Sequence, residues 1–225
     1  MLRMTDVEVR LPDAAARASA ARRGSKPMAE VTCTIENGRT REIVVPARVG
    51  RVLDSDAIGL PRDEDEAFDA IHALEGRICF TMLTEMLSRR DHAEGEARDK
   101  LSRYGFRAEE IEGAITRASE MRFINDARFA GYFIEERKRR GWGRRKIERE
   151  LVQRGVCLEE LEGYPEAFFD DEDDLARARA VLQRKRIPDE RAFEKLVRHL
   201  MGKGFSYGTA AEAVRARLND GDLDA

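Results

Sequence analysis

A leucine, three intervening residues, a glycine and an apolar residue recur three times along the chain, at Leu101–Phe106, Leu151–Val156 and Leu200–Phe205. The spacing is about 50 residues, a period at which chains are built from repeated supersecondary units. In each copy an apolar or small residue (Ala97, Ile147, Leu196) sits four positions before the leucine, one helical turn away. Gly105, Gly155 and Gly204 then read as helix ends, because glycine enters the left-handed conformation that closes a helix. A helix precedes each such unit, over 66–89, 125–140 and 174–185. A third follows each glycine, anchored by Ile111 and Ile115, by Leu158 and Leu161, and by Ala211 and Val214. In the middle copy Gly163 and Pro165 predict that this third helix is short or broken.

The first of these helices carries Phe68, Ile71, Leu74, Ile78, Met82 and Met86 on one stripe, with Gly76 as its expected weak point. Three short helices bury little core alone, so the copies are expected to support one another by stacking. Charged residues make up 38% of the chain and aromatics 7%, which suits thin modules with much surface per residue.

Upstream the pattern changes. Val31, Cys33 and Ile35 alternate with polar residues, Asn37-Gly38 follows, and Ile43, Val44 and Val45 come next. That is the signal of a β-hairpin. Two strands alone are marginal in water, so the hairpin is expected to lean on a helix. Val52, Leu53, Ile58 and Leu60 read as a short strand or turn segment stopping near Pro61. Residues 1–29, rich in Ala and Arg, read as a disordered lead, with Met28 a candidate start.

The expected fold class is therefore mainly α: three tandem three-helix, helix-turn-helix-like modules in an elongated array, with a short N-terminal β-hairpin. Its parts are a lead (1–29), a hairpin segment (30–62) and helical modules at 63–120, 121–169 and 170–220.

Net charge is −3, so bulk charge does not announce a nucleic-acid binder, and the distribution matters more. Arg137, Lys138, Arg139, Arg140, Arg144, Arg145, Lys146 and Arg149 face only Glu148 within 137–149. Such a block is either a solvated helix face or a patch that meets phosphates or acidic protein surface. Trp142, in a glycine-flanked turn beside it, packs on the bundle, anchors an interface or stacks on a base. The acidic run 170–174 reads as a linker starting the last module's first helix, where negative charge is favourable. A second reading has it mask the basic block. Phe123, Phe129, Phe133, Phe168 and Phe169 read as core and capping residues.

Cys33, Cys79 and Cys157 form no CxxC pair, so a disulfide framework is not expected and a reducing cytoplasm fits. His72, His92 and His199 are isolated, and no metal site, cofactor or catalytic group is expected. No apolar run approaches the roughly 20 residues of a membrane span.

The most specific string is Phe123-Ile124-Asn125-Asp126, followed by Phe129-Ala130, the basic stretch, Gly141, Ile147, Leu151 and Gly155. It resembles the signature of the RecX family, regulators of the RecA recombinase. The resemblance extends from about Val31 to Leu218 and takes in Leu87–Arg90 and Gly204-Phe205. It implies an elongated array of three-helix modules that binds RecA, lies in the groove of its filament on single-stranded DNA, and limits filament growth, strand exchange and co-protease activity. Weak affinity for DNA itself and no catalytic residue are implied as well, and a monomer is the default expectation. Arg137–Arg140, Trp142, Arg144, Arg145, Lys146 and Arg149 would make the contacts. The alternative is a sequence-tolerant DNA-binding protein of helix-turn-helix type. A nuclease is the third reading, disfavoured because no metal-binding or nucleophilic cluster stands in the sequence.

Overall fold

The computed structural model describes residues 2–222. The chain divides into two compact units, Met1–Ile124 and Asn125–Ala225.

The first unit opens with a sheet. Strands β1 (Arg3–Arg10), β2 (Met28–Ile35), β3 (Thr40–Pro46) and β4 (Arg62–Asp63) pair antiparallel in the order β3-β2-β1-β4. Asn37-Gly38 lies in the β2–β3 turn, with Gly38 left-handed at φ +80° and its N–H donated to the Ile35 carbonyl at 2.9 Å. The lead is not disordered as its composition suggests. Residues 3–10 form an interior strand, and Ala14–Arg22 forms helix α1, capped by the Asp13 carboxylate on the Ala16 N–H. A register shift between Met4 and Asp6 puts Met4 and Val7 in the core together, three residues apart. That bulge puts Met4 out of phase with the regular alternation of Val7 and Val9 with Asp6, Glu8 and Arg10. The hairpin is thus half of a four-stranded sheet, and the segment after the short helix α2 (Ala47–Gly50) is turns up to β4.

Helices α3 (Glu64–Leu87), α4 (Glu94–Arg103) and α5 (Ala108–Glu120) pack on one another, and α3 also meets β1, β4 and α2. Ile71, Leu74, Met82 and Leu83 of α3 join Leu101, Ile111, Ile115 and the inner face of the sheet in one core. Gly76 does not break α3. A Cβ there would meet only the carboxylate end of the Glu110 side chain, 2.6 Å away, and no backbone of α5. The buried Glu75 carboxylate accepts the N–H of Arg107, the N-cap of α5, at 3.0 Å and replaces a side-chain cap.

The second unit holds α6 (Asp126–Arg139), α7 (Arg144–Gln153), a 3-10 turn (Leu158–Glu160), α8 (Asp171–Gln183), α9 (Ala192–Lys203) and α10 (Tyr207–Asp222). The middle copy's third element is that single turn, as Gly163 and Pro165 predict. Helices α8, α9 and α10 pack pairwise, and α6 packs on α7. The Asn125 side chain caps α6 by accepting the Arg128 N–H at 2.7 Å.

The recurring glycines perform one local task. Gly105, Gly155 and Gly204 have φ of +89°, +79° and +98°. In each copy the glycine N–H reaches the carbonyl three residues back, at 2.8–2.9 Å, and the next N–H returns to the leucine carbonyl, at 3.1–3.4 Å. That is the Schellman closure, with its apolar contact between the residue after the glycine and the leucine. Leu101, Leu151 and Leu200 are fully buried, and Phe106, Val156 and Phe205 nearly so. The same closure ends α5 with left-handed Arg122. There the following residue, Phe123, is 44% exposed rather than core, because its partner in the closure is the small Ala118.

Candidate partner interface

The block 137–149 spans the end of α6, a tight turn and the start of α7. Gly141, left-handed at φ +73°, and Trp142 repeat the closure seen above, with the Trp142 N–H donated to the Arg137 carbonyl at 3.1 Å. This folds the indole back over the last turn of α6. The Arg137 guanidinium lies 4.9 Å from the indole centroid and 4.4 Å from the Phe133 ring, and the Lys146 ammonium lies 3.8 Å from the indole. Trp142 is half-buried and already engaged by two cations.

The structure divides the predicted contact residues into two groups. Arg137 bridges to Glu136 at 3.2 Å and across to Glu150 of α7 at 3.7 Å, and its side chain is only 12% exposed. Lys138 pairs with Glu135 at 2.9 Å, and Arg140 pairs with Glu136. Arg144 donates to Glu148 at 2.7 Å, and the Tyr164 hydroxyl donates to the same oxygen at 2.5 Å. The bond to Glu148 raises the Arg144 pKa further, against the effect of burial. These four are paired with the chain's own carboxylates, with Arg137 and Lys138 largely covered and Arg140 still 58% exposed. Glu135, Glu136 and Glu150 stand just outside the window that seemed nearly free of carboxylates.

Arg139, Arg145, Lys146 and Arg149 make no ion pair among the described residues, and the three arginines are exposed. The acidic run begins α8 as expected. Asp174, which is buried, pairs with Arg177 one turn on.

Helix α7 breaks a local rule. Its first turn holds Arg144, Arg145 and Lys146, no acid and no capping side chain, although the helix dipole disfavours cations there. Its unsatisfied amides go instead to the end of α9: the Gly143 N–H donates to the Lys203 carbonyl at 3.0 Å, and the Arg145 N–H to the Gly204 carbonyl at 3.1 Å. The carbonyl end of one helix thus meets the amide end of another, which offsets part of the cost of three cations.

Sequence reasoning missed a second basic region. Lys138, Arg139 and Arg140 share a cleft with Arg184 and Lys185, at the end of α8, and with Lys203 of α9. The run Arg184-Lys185-Arg186 was its one sequence signal. Among the described residues no group of His, Cys, Asp and Glu is placed to hold a metal ion, and no helix is long and apolar enough to cross a membrane.

Comparison with known proteins places this geometry. The family described as RecX, second three-helix domain, matches residues 125–161, which hold α6, α7 and the 3-10 turn. The chain is 32% identical over 129 residues to a protein named regulatory protein RecX from Caldanaerobacter subterraneus subsp. tengcongensis, covering 57% of this chain and 65%, just under two thirds, of that one. It is 31% identical to the regulatory protein RecX of Vibrio vulnificus, covering 63% of this chain and 92% of the relative. For a Thermus thermophilus protein of the same name the figures are 36%, 61% and 90%. In fold it is similar to the crystal structure of RecX from Lactobacillus salivarius, with a TM-score of 0.56 at 18% identity, covering 64% of this chain and 97% of that one. A second crystal structure, of a regulatory protein RecX, gives 0.55 at 15%, covering 93% and 97%.

Proposed function

The chain belongs to the RecX family, and on that footing we propose that it is a non-enzymatic regulator that binds RecA filaments on single-stranded DNA and restrains their recombinase, ATPase and co-protease activities. In this reading α3–α5, α6 to the 3-10 turn, and α8–α10 are three tandem modules, acting as a monomer in the cytoplasm, in DNA repair and the damage response.

The observation that carries the reading is the first turn of α7. Cations are gathered where the helix dipole disfavours them, and among the described residues Arg145 and Lys146 have no ion pair. A sequence keeps such a local conflict where a site needs it. In this reading the exposed Arg139 and Arg149 add to the attraction, and Trp142, held by Arg137 and Lys146, supports Lys146 rather than standing as a free anchor. Of the four cations paired with the chain's own carboxylates, Arg137 joins α6 to α7 through Glu150, while Lys138, Arg140 and Arg144 pair along their own helices.

The test is RecA ATPase on single-stranded DNA, with the wild type and the triple variant Arg139→Glu, Arg145→Glu, Arg149→Glu. The wild type is expected to suppress turnover as its concentration rises. The variant should need about tenfold more protein for half-suppression, corresponding to roughly 1.4 kcal/mol of lost attraction. A wild type without effect even in excess over RecA refutes the reading.

A further inference from the structure

The cleft at the end of α6 gathers more cations than the fold itself uses. Its volume is about 520 Å³, and it lies wholly within the second unit. Cations enter it from the end of α6, from α8 and the residues after it, and from the last turn of α9. Carboxylates outside the cleft answer three of them: Glu135 on Lys138, Glu136 on Arg140 and Asp174 on Arg177. Arg139, Arg184, Lys185 and Lys203 have no ion pair among the described residues. A cation in the last turn of a helix is favourable, which explains each of them singly. It does not explain their meeting in one recess that no described aspartate or glutamate lines. His199, which shares the cleft, has its pKa lowered by burial first and then by Lys185 and Lys203. Close packing fixes the cleft's wall, since a Cβ on Gly141 would lie 2.8 Å from the Val181 side chain.

The lining selects its ligand by hydrogen-bond type and by size. Lysine and arginine side chains are donors with no acceptor, and the rest of the lining is Gly141, Ala180, Val181 and His199. Apart from His199, no side chain there can accept a hydrogen bond from a base, a sugar hydroxyl or a peptide amide. The matching ligand therefore carries acceptors and little else. A groove that tracks a nucleic-acid strand joins its cations to aromatic rings on which bases stack, and this lining holds no Phe, Tyr or Trp. Its volume is that of a small-molecule pocket. A single phosphate would leave most of the four open cations unanswered, so the ligand is compact and several-fold charged.

We propose that this cleft binds a linear oligophosphate, either a short inorganic polyphosphate or the phosphate tail of a nucleotide, with Arg139, Arg184, Lys185 and Lys203 as its direct contacts. Such an anion is all acceptor oxygen and carries charge on every phosphate, so it concentrates in one pocket what a DNA strand spreads over several nucleotides. The guanidinium forks of Arg139 and Arg184 suit paired phosphate oxygens, and the two lysines act as point charges. Neither RecA nor DNA enters the binding, which stands apart from the regulator reading.

The experiment uses the full chain without RecA or DNA, tripolyphosphate as the probe, and the triple variant Arg184→Ala, Lys185→Ala, Lys203→Ala beside the wild type. Circular dichroism should show the variant folded, since none of these side chains is core. Titration calorimetry of the wild type should show a single saturable site. In the variant the affinity should fall at least about tenfold, the worth of one charge-assisted hydrogen bond. By NMR, tripolyphosphate should raise the His199 titration midpoint in the wild type, because a neighbouring anion favours the imidazolium. The same concentration should leave it in place in the variant. ATP without magnesium identifies the source of the phosphates: affinity equal to that of tripolyphosphate admits a nucleotide's tail, and weaker affinity assigns the site to the inorganic chain. Wild-type affinity in the variant would overturn the proposal. So would oligothymidylate or polyglutamate displacing tripolyphosphate as readily, at equal total charge, as unlabelled tripolyphosphate does, because the cleft would then answer to negative charge of any kind.

Discussion

A chain shortened to begin at Met28 is expected to lose the N-terminal sheet, and with it most of the first unit's stability. The shortened protein would lack β1, the strand that pairs with β2 from Met4 to Arg10 on one side and with β4 on the other. Met4 is fully buried and Val7 nearly so. Apolar side chains of that kind contribute about 1.5–3 kcal/mol each, and each ladder hydrogen bond adds roughly 1 kcal/mol. The total rivals the 5–15 kcal/mol typical of a whole domain. Removal also uncovers β2, whose Val31, Cys33 and Ile35 are almost fully buried, and an uncovered apolar edge invites aggregation. Hydrogen exchange at the β2 amides measures the effect directly. Protection should vanish in the shortened chain, and calorimetry should show the first unit melting more than about 10 °C lower. A truncated protein that keeps β2 protection and melts within a few degrees of the full chain would show β1 to be dispensable.

Part of this strand was legible. A strand declares itself by a period of two, and Val7 and Val9 alternate with Asp6, Glu8 and Arg10, while the shift between Met4 and Asp6 sets Met4 outside that run and the Ala- and Arg-rich stretch after it obscures the signal. The helix closures were legible throughout. A Schellman end needs only a leucine, a glycine and an apolar residue at fixed local offsets, and none of these depends on distant parts of the chain. The basic block lies between the two cases. Its i,i+4 pair Glu136–Arg140 and its i,i+3 pair Glu135–Lys138 were readable along one helix. The Arg137–Glu150 bridge joins two helices through the turn at Gly141-Trp142, and no spacing rule gives it. The cleft was least legible of all. Its cations lie up to 65 positions apart, from Lys138 to Lys203, and meet only because three helix ends converge.

The convergence of α7 and α9 leads to the sharpest expected single-residue effect. Gly204→Ala should destabilise the second unit by about 3 kcal/mol. Part of that, about 1 kcal/mol, is the left-handed conformation that Gly204 holds at φ +98° and that alanine tolerates poorly. The rest is steric, since a Cβ there would sit 2.3 Å from the Lys146 Cβ and 2.6 Å from its backbone nitrogen. Overpacking of this kind costs about 1–3 kcal/mol. Relief requires α7 to move away from α9, which breaks the Gly143 and Arg145 amide bonds that replace its missing cap. Gly143→Ala meets the same barrier from the other side, 2.4 Å from the Phe205 nitrogen. Gly131, inside α6, is the contrast: nothing lies within 4 Å of a Cβ there, and Gly131→Ala should stabilise by about 0.5–1 kcal/mol. Trp142 is the chain's single tryptophan and sits at this junction, so its fluorescence during urea unfolding reports on the second unit alone. The midpoint should drop sharply for Gly204→Ala and Gly143→Ala and rise for Gly131→Ala. Because the same junction aims Arg145 and Arg149, both destabilised variants should also suppress RecA ATPase less well under conditions where they remain folded. Equal midpoints for Gly204→Ala and the wild type would mean that the two helix ends are not in contact, and the account of how α7 is capped would fall with them.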